Sequence, residues 1–311
     1  MHYGVSESNV TLGGRMAAAT EALFLKSEDS ALAEIAASVR AGQCILFLGA
    51  GVHHAPPRAG FVYPARRRPP MGSALSRMLA DESGFTKLFP HEGASNLQRV
   101  ALFYERQRSR AALISRIRSE VHEGRKPSPL LRALARMKFP LVITTNYDQL
   151  FERALAAEQK EPRVAVYSPD RFTMTRDYTP TPEQPFIFKI HGDIDAPESM
   201  VITDEDYIQF VMRMTDREPF NPVPETFLYQ LKRWPTLFLG YSLMDYNLRL
   251  LFKSLRWKVD AGFPDMYSVD TAPDPLILDV WWNQRRYVRF LIQDVWRFVP
   301  KLARMVSGRR L

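Results

Sequence analysis

With 311 residues, 46% of them apolar, the chain is long enough to bury one large α/β core. Its single cysteine, Cys44, excludes an internal disulfide and a Cys-rich structural zinc site, and no apolar run approaches the roughly 18 residues that span a bilayer. The net charge of +8 comes from arginine clusters such as ARRRPP (65–70), ERQRSRAALISRIR (105–118) and NQRRYVR (283–289). Such a surface attracts nucleic acid, nucleotides or acidic partners. The clusters are scattered and not interleaved with aromatics, so they read as solvated helix faces and oligomer contacts rather than a nucleic-acid groove. The start, MHYGVSESNVTLGGRM, lacks a basic-then-apolar signal pattern, and the expected location is cytoplasmic.

In chain order, residues 1 to about 30 have weak periodicity and read as an extension or a peripheral helix. SALAEIAASVRAGQ has helical spacing, with Ser30 as N-cap and Gly42 as stop. CILFLGAG is a short apolar strand ending in glycines, and the Pro- and Arg-rich stretch 55–71 is a loop. A helix opens at Ser73, and a long helical tract is expected from about Asn96 to Val121. PSPLLRALARM is a further helix, with Ser128 capping and Pro129 in its first turn. An α/β rhythm follows: strand LVITT and helix DQLFERALAA, strand VAVYS, then strand FIFKI ending at HGD. Thr203 and Asp206 form a capping pair for a helix to about Met214. Strand TLFLG leads to helix LMDYNLRLLFKSL, and strands DMYSV and YVRFLI precede helix DVWRFVPKLARMV. Apolar strands alternating with helices predict a Rossmann-like parallel sheet covered on both faces, with a helical insertion at about 72–138.

Four of these strands end in small or polar clusters: FLGAG (47–51), TTNYD (144–148), KIHGD (189–193) and FLGYS (238–242). In an open parallel sheet ligands bind outside the carboxyl ends of the strands, so the four clusters can converge on one pocket. Gly49 and Gly51 permit close approach of backbone to a phosphate, or simply form a tight turn. A dinucleotide fingerprint would place a third glycine at His54, which disfavours an ordinary dehydrogenase domain. Asn146 can hold a ribose hydroxyl or a water, or cap the next helix; Asp148 can orient the amide or the sugar, or be a first-turn acid favoured by the helix dipole. His191 can exchange a proton near neutral pH, or be a satisfied turn histidine. The other histidines, His53 and His54 among them, fall in loops or on polar helix faces, with no metal-ligand spacing. Gly240, Ser242 and Asp245 repeat the pattern, with Asp245 also suited to capping.

In this order, GAGV, TTNYD, KIHGD followed by TDEDY, and FLGYSLMD resemble the sirtuin-like NAD-binding fold, most closely its bacterial antiphage-defence branch. The resemblance covers roughly residues 30 to 307 and implies an N-terminal extension (1–30) before a sirtuin-like domain (31–311). It implies that Gly49, Ala50 and Gly51 contact NAD phosphates. Asn146 and Asp148 would sit at the nicotinamide ribose, Thr145 would contact the cofactor, His191 would be the catalytic histidine, and Gly240 and Ser242 would line the adenosine side with Asp245 nearby. The 55–71 loop would be the mobile cofactor loop. Protein-deacylating sirtuins carry a four-cysteine zinc module and a Val-x-Phe-Gly acyl-lysine segment. Here the single cysteine, Cys44, cannot form the first, and the second is absent because no glycine occurs between Gly192 and Gly240. His53 stands where the family often has Ser or Thr. The implied activity is hydrolysis of NAD to nicotinamide and ADP-ribose, without zinc, held latent until assembly or a partner releases it. A homo-oligomer and a separate ATPase or Argonaute-like partner are the expected associations. The alternatives are a deacylase lacking zinc, a non-catalytic NAD or ADP-ribose binder, and a basic nucleic-acid-binding subunit.

Overall fold

The computed structural model describes residues 28–57, 60–168, 178–215, 223–243, 264–276, 278 and 288–308. Residues 1–27 of the expected extension, and the helix expected after Leu243, lie outside them. Seven strands form one parallel sheet: β1 (Ile45–Leu48), β2 (Leu141–Thr144), β3 (Arg163–Val166), β4 (Phe186–Lys189), β5 (Thr236–Leu239), β6 (Met266–Asp270) and β7 (Val288–Ile292). Their order is β3-β4-β2-β1-β5-β6-β7. β1 pairs in register with β2 on one side and β5 on the other, so the chain reverses its direction of travel across the sheet there. That reversal opens a crevice at the carboxyl ends of β1 and β5.

Strand alternation sorts the core into two layers. Leu46, Leu48, Val142, Ile187 and Leu237 face one side. They pack against the helix at 28–40 (α1), Pro129–Ala135 (α6), Leu150–Ala157 (α7) and Val295–Ser307 (α10). Ile45, Phe47, Ile143, Phe186, Phe188 and Phe238 face the other, against Asp204–Thr215 (α8) and Glu225–Leu231 (α9). Burying each of these aromatic rings contributes about 1.5–3 kcal/mol. No helix of the described residues is long and apolar enough to cross a membrane.

Between β1 and β2 lies a helical layer: α2 (Gly72–Ser83), α3 (Phe85–Leu88), α4 (Leu97–Gln107) and α5 (Arg110–Val121), before α6. Its own core joins Leu79, Phe85, Val100, Leu113 and Ile117 to Ile194, Met200 and Ile202, which follow His191. Arg110 bridges Asp206 at 2.7 Å and donates to the Met200 carbonyl, and Arg118 pairs with Asp195. The covering layer is thus docked on the segment that carries the β4 strand end.

Several boundaries differ from the sequence expectation. The tract expected from Asn96 to Val121 is two helices, because Ser109 accepts from the Ala112 amide and starts a new one. Ser30 lies inside α1, where its hydroxyl donates to Glu34. α7 begins at Leu150 rather than Asp148. α3 and α9 had no expectation of their own. The Thr203–Asp206 pair forms a reciprocal capping box: each side chain accepts from the other's amide.

Candidate active site

At the carboxyl end of β2 the backbone turns sharply, and Thr144 organises the turn. Its hydroxyl donates to the Leu48 carbonyl at 3.1 Å and accepts from the Asn146 amide. The Thr145 amide donates to Leu48 as well. Asn146 is thereby aimed across β1, where its Nδ2 donates to the Gly49 carbonyl at 3.3 Å. Asp148 is buried, and its Oδ1 accepts from the Leu150 amide at 2.9 Å, satisfying an orphan donor of α7.

The other Asp148 oxygen meets a residue that sequence reasoning placed elsewhere. His53, expected in a loop or on a polar face, is buried on a short helical turn (Ala50–His53) that follows β1. Its Nε2 lies 3.1 Å from Asp148 Oδ2. Burial alone would raise the Asp148 carboxyl, but His53, Lys189 and the Leu150 amide outweigh it and hold the carboxyl below its ordinary range. An ionised carboxylate only accepts, so His53 Nε2 carries the hydrogen and donates to Asp148. The Asn146 Nδ2, 3.4 Å from the same nitrogen, is then a neighbour and not its donor. The only sequence signal was a histidine directly after GAGV.

Lys189, the last residue of β4, is fully buried on the α7 face. Its ammonium donates to the carbonyls of Asp148 (2.6 Å) and Tyr147 (3.2 Å). It also pairs with Asp193 (2.5 Å) and Glu152 (3.2 Å). Burial pushes the ammonium down, but Glu152, Asp193 and Asp148 together hold it above its ordinary value. One cation therefore ties the TTNYD turn to the HGD turn. His191 sits two residues further on, buried, with its ring edge-on to Tyr207 and Phe210 and its Nδ1 3.4 Å from the Tyr207 hydroxyl. Gly192 has φ +90°, and a Cβ there would lie 2.3 Å from the Ser199 carbonyl oxygen. Only glycine fits.

The glycines of GAG have a structural role. A Cβ on Gly49 or Gly51 would strike Gly240 backbone at 2.5 and 2.7 Å, and one on Gly240 would strike Val52 N at 2.2 Å. The amides of Gly49 and Gly51 donate to Leu239 and Gly240 carbonyls. The close approach that these glycines permit is between the ends of β1 and β5, and neither amide points freely at a ligand.

One cleft of about 410 Å³ gathers the strand ends. It is lined by Ala50, Gly51, Thr145, Asn146, Asp148, His191, Gly240 and Ser242, and by His53. Gly49 is not part of its lining, and Asp245 lies outside the described residues. Pro69–Met71 from the end of the 55–71 loop and Leu75 of α2 close the opposite wall. That loop is held by the Tyr63 hydroxyl on the Lys126 carbonyl and by Phe61 against Trp296. A second pocket of about 240 Å³ shares Gly51, Gly240 and Ser242 and extends to Asp270 at the end of β6. Among the described residues no group of three or more His, Cys, Asp or Glu is arranged to hold a metal ion.

Residues 140–288, the stretch with TTNYD, HGD and GYS, match the family model of the SIR2-like domain. Over that stretch the chain is similar to the SIR2-like domain. Three curated proteins similar to this chain are bacterial. The NAD(+) hydrolase ThsA of Enterococcus faecium is 30% identical over 52% of the chain and 32% of its own length. The NAD(+) hydrolase ThsA of Acinetobacter baumannii is 27% identical over 67% of the chain and 42% of its own length. The defense-associated sirtuin 2 of Bacillus subtilis is 24% identical over 78% of the chain and 22% of its own length. The chain thus spans less than half the length of the curated relatives it matches.

Proposed function

We propose that this chain hydrolyses NAD at the bond between nicotinamide and ribose, giving nicotinamide and ADP-ribose, as an effector of bacterial antiphage defence. The observation that carries the reading is the convergence of Asn146, the His53–Asp148 pair and His191 on one cleft at the switch point of the sheet. The names of the hydrolase relatives support it.

In the reaction water forms a bond to C1′ of the ribose, the C1′–N bond breaks, and its electron pair neutralises the pyridinium as nicotinamide leaves. The ribose passes through an oxocarbenium-like state, as in glycoside hydrolysis generally. Asp148 is kept ionised by its neighbours, so a fixed negative charge lies in the wall of the cleft where positive charge develops. Asn146 holds a ribose hydroxyl or the attacking water. His191 hydrogen-bonds a ribose hydroxyl or takes the water's proton, a role worth about 10²–10⁴-fold. In this reading the adenosine half lies in the adjoining pocket, whose lining includes Gly240, Ser242 and Asp270. NAD is the substrate, and the reaction as proposed uses no zinc.

Unrestrained NAD hydrolysis would harm the host, so the activity in this reading is latent in the cytoplasm and released by homo-oligomerisation or a separate sensor protein. The deciding experiment is NAD turnover by the purified protein, alone and with candidate partner proteins, against Asn146→Ala and His191→Ala. Loss of turnover in both variants is expected. Wild-type turnover in both would refute the site, and nicotinamide release that requires an acyl-lysine peptide would replace hydrolysis with deacylation.

A further inference from the structure

A separate concavity, of about 400 Å³, lies between the 62–67 segment, the turn before α6, and α7. Four cationic side chains line it, Arg67, Lys126, Arg132 and Arg153, and no acidic residue does. None of the four has a carboxylate partner among the described residues, whereas neighbouring arginines do. Arg118 pairs with Asp195, Arg125 with Glu120, and Arg136 with Glu158. Arg153 Nη2 contacts His122 Nε2 at 2.7 Å. Burial and Arg153 itself hold His122 below its ordinary value, so the ring accepts as a neutral group and leaves the guanidinium charge uncancelled. All four side chains are exposed, so water and salt screen much of their mutual repulsion, and an anion seated among them would relieve what remains.

We propose that this pocket binds a small phosphorylated anion of the nucleoside triphosphate class, at a site separate from the cleft. The cations surround a concavity rather than forming a stripe. Its walls between them include apolar surface from Val62 and Ala154, suited to a base or sugar. Its volume falls within the roughly 300–1,000 Å³ usual for small-ligand sites. Four positive charges suit the three to four negative charges of a triphosphate. The pocket also bears on the cleft from two sides. α7 begins two residues after Asp148, and the 62–67 segment, fixed by the Lys126 amide on the Arg67 carbonyl, continues into Pro69–Met71.

The test is calorimetric titration of the full chain with ATP, inorganic pyrophosphate and ADP-ribose as separate probes, in wild type, Arg132→Glu, Lys126→Glu and Asn146→Ala. The Arg132 and Lys126 side chains are exposed, and unchanged melting temperatures will establish that their variants fold. ATP is expected to bind wild type, and each charge reversal to weaken it about tenfold or more, the worth of a charge-assisted contact. Asn146→Ala should leave ATP binding unchanged, and any ADP-ribose affinity that falls only in Asn146→Ala belongs to the cleft. Three results would overturn the proposal: no ATP or pyrophosphate binding at millimolar concentration, ATP binding lost in Asn146→Ala but kept in Arg132→Glu, or displacement of ATP by a short DNA duplex with steep salt dependence.

Discussion

His53 Nε2 donates to Asp148 Oδ2 across 3.1 Å, joining two buried groups that lie 95 positions apart in the chain. The bond closes the turn after β1 onto the turn after β2 and faces the cleft between them. It also sets the charge of the site, since His53 helps keep the Asp148 carboxyl ionised.

Replacing His53 by Ala leaves the buried carboxylate with Lys189 and one amide as partners. A loss of about 1–3 kcal/mol is expected for a buried acceptor stripped of its donor, read as a lower urea midpoint at unchanged slope. NAD turnover should fall as well. A variant with wild-type stability and turnover would show that the pair does no such work.

Acid titration reports the same carboxylate. Asp148 has a folded pKa below its ordinary value. Its contribution to stability is therefore complete above the unfolded value of about 3.9 and is lost as pH falls through the lower folded value. Glu152, raised by burial, acts in the opposite sense, so the comparison must isolate position 148. Below about pH 4 the melting temperature should fall more steeply in wild type than in Asp148→Asn. Parallel curves would contradict the assignment.

Lys189→Met tests the buried cation. Removing one partner from a buried ionic cluster costs about 3–5 kcal/mol, because Asp193 and Glu152 lose their counter-charge. Thermal unfolding should show the loss, and NAD turnover in surviving folded protein should drop because both turns are released together. A mild effect, near that of a surface lysine, would mean that the carboxylates protonate without consequence.

Gly240 and Gly84 share nearly the same backbone, φ +65° and +73°, but only Gly240 is crowded. Gly84→Ala should cost about 1–2 kcal/mol, the strain of the left-handed region alone. Gly240→Ala adds a Cβ 2.2 Å from Val52 N and should cost distinctly more, with loss of NAD binding. Equal melting temperatures for the two variants would show that the β1 and β5 turns are not interlocked.

Much of this was legible because strand ends have a local signature. LVITT, FIFKI and TLFLG are apolar runs that break into Asn146, His191 and Gly240, and the α/β rhythm predicted that such ends share a crevice. Contacts between ends left no such trace. Nothing near His53 marks it as Asp148's partner, because the match is made by the register of β1 against β2. Lys189 read as one more residue of a strand, since period-two alternation does not say which face meets an acid on α7. The GAG glycines read as space for a phosphate, although the space is filled by Gly240. The break at Ser109 was hidden by apolar periodicity running through both helices, α4 and α5.

Arg110 and Arg118 of α5 grip the residues just beyond His191, at Met200, Asp206 and Asp195. The layer roofing the cleft and the wall bearing the histidine are consequently one mechanical unit. A force applied to the outside of α5, such as a protein docking there, reaches the His191 wall through two guanidinium groups without first deforming the sheet.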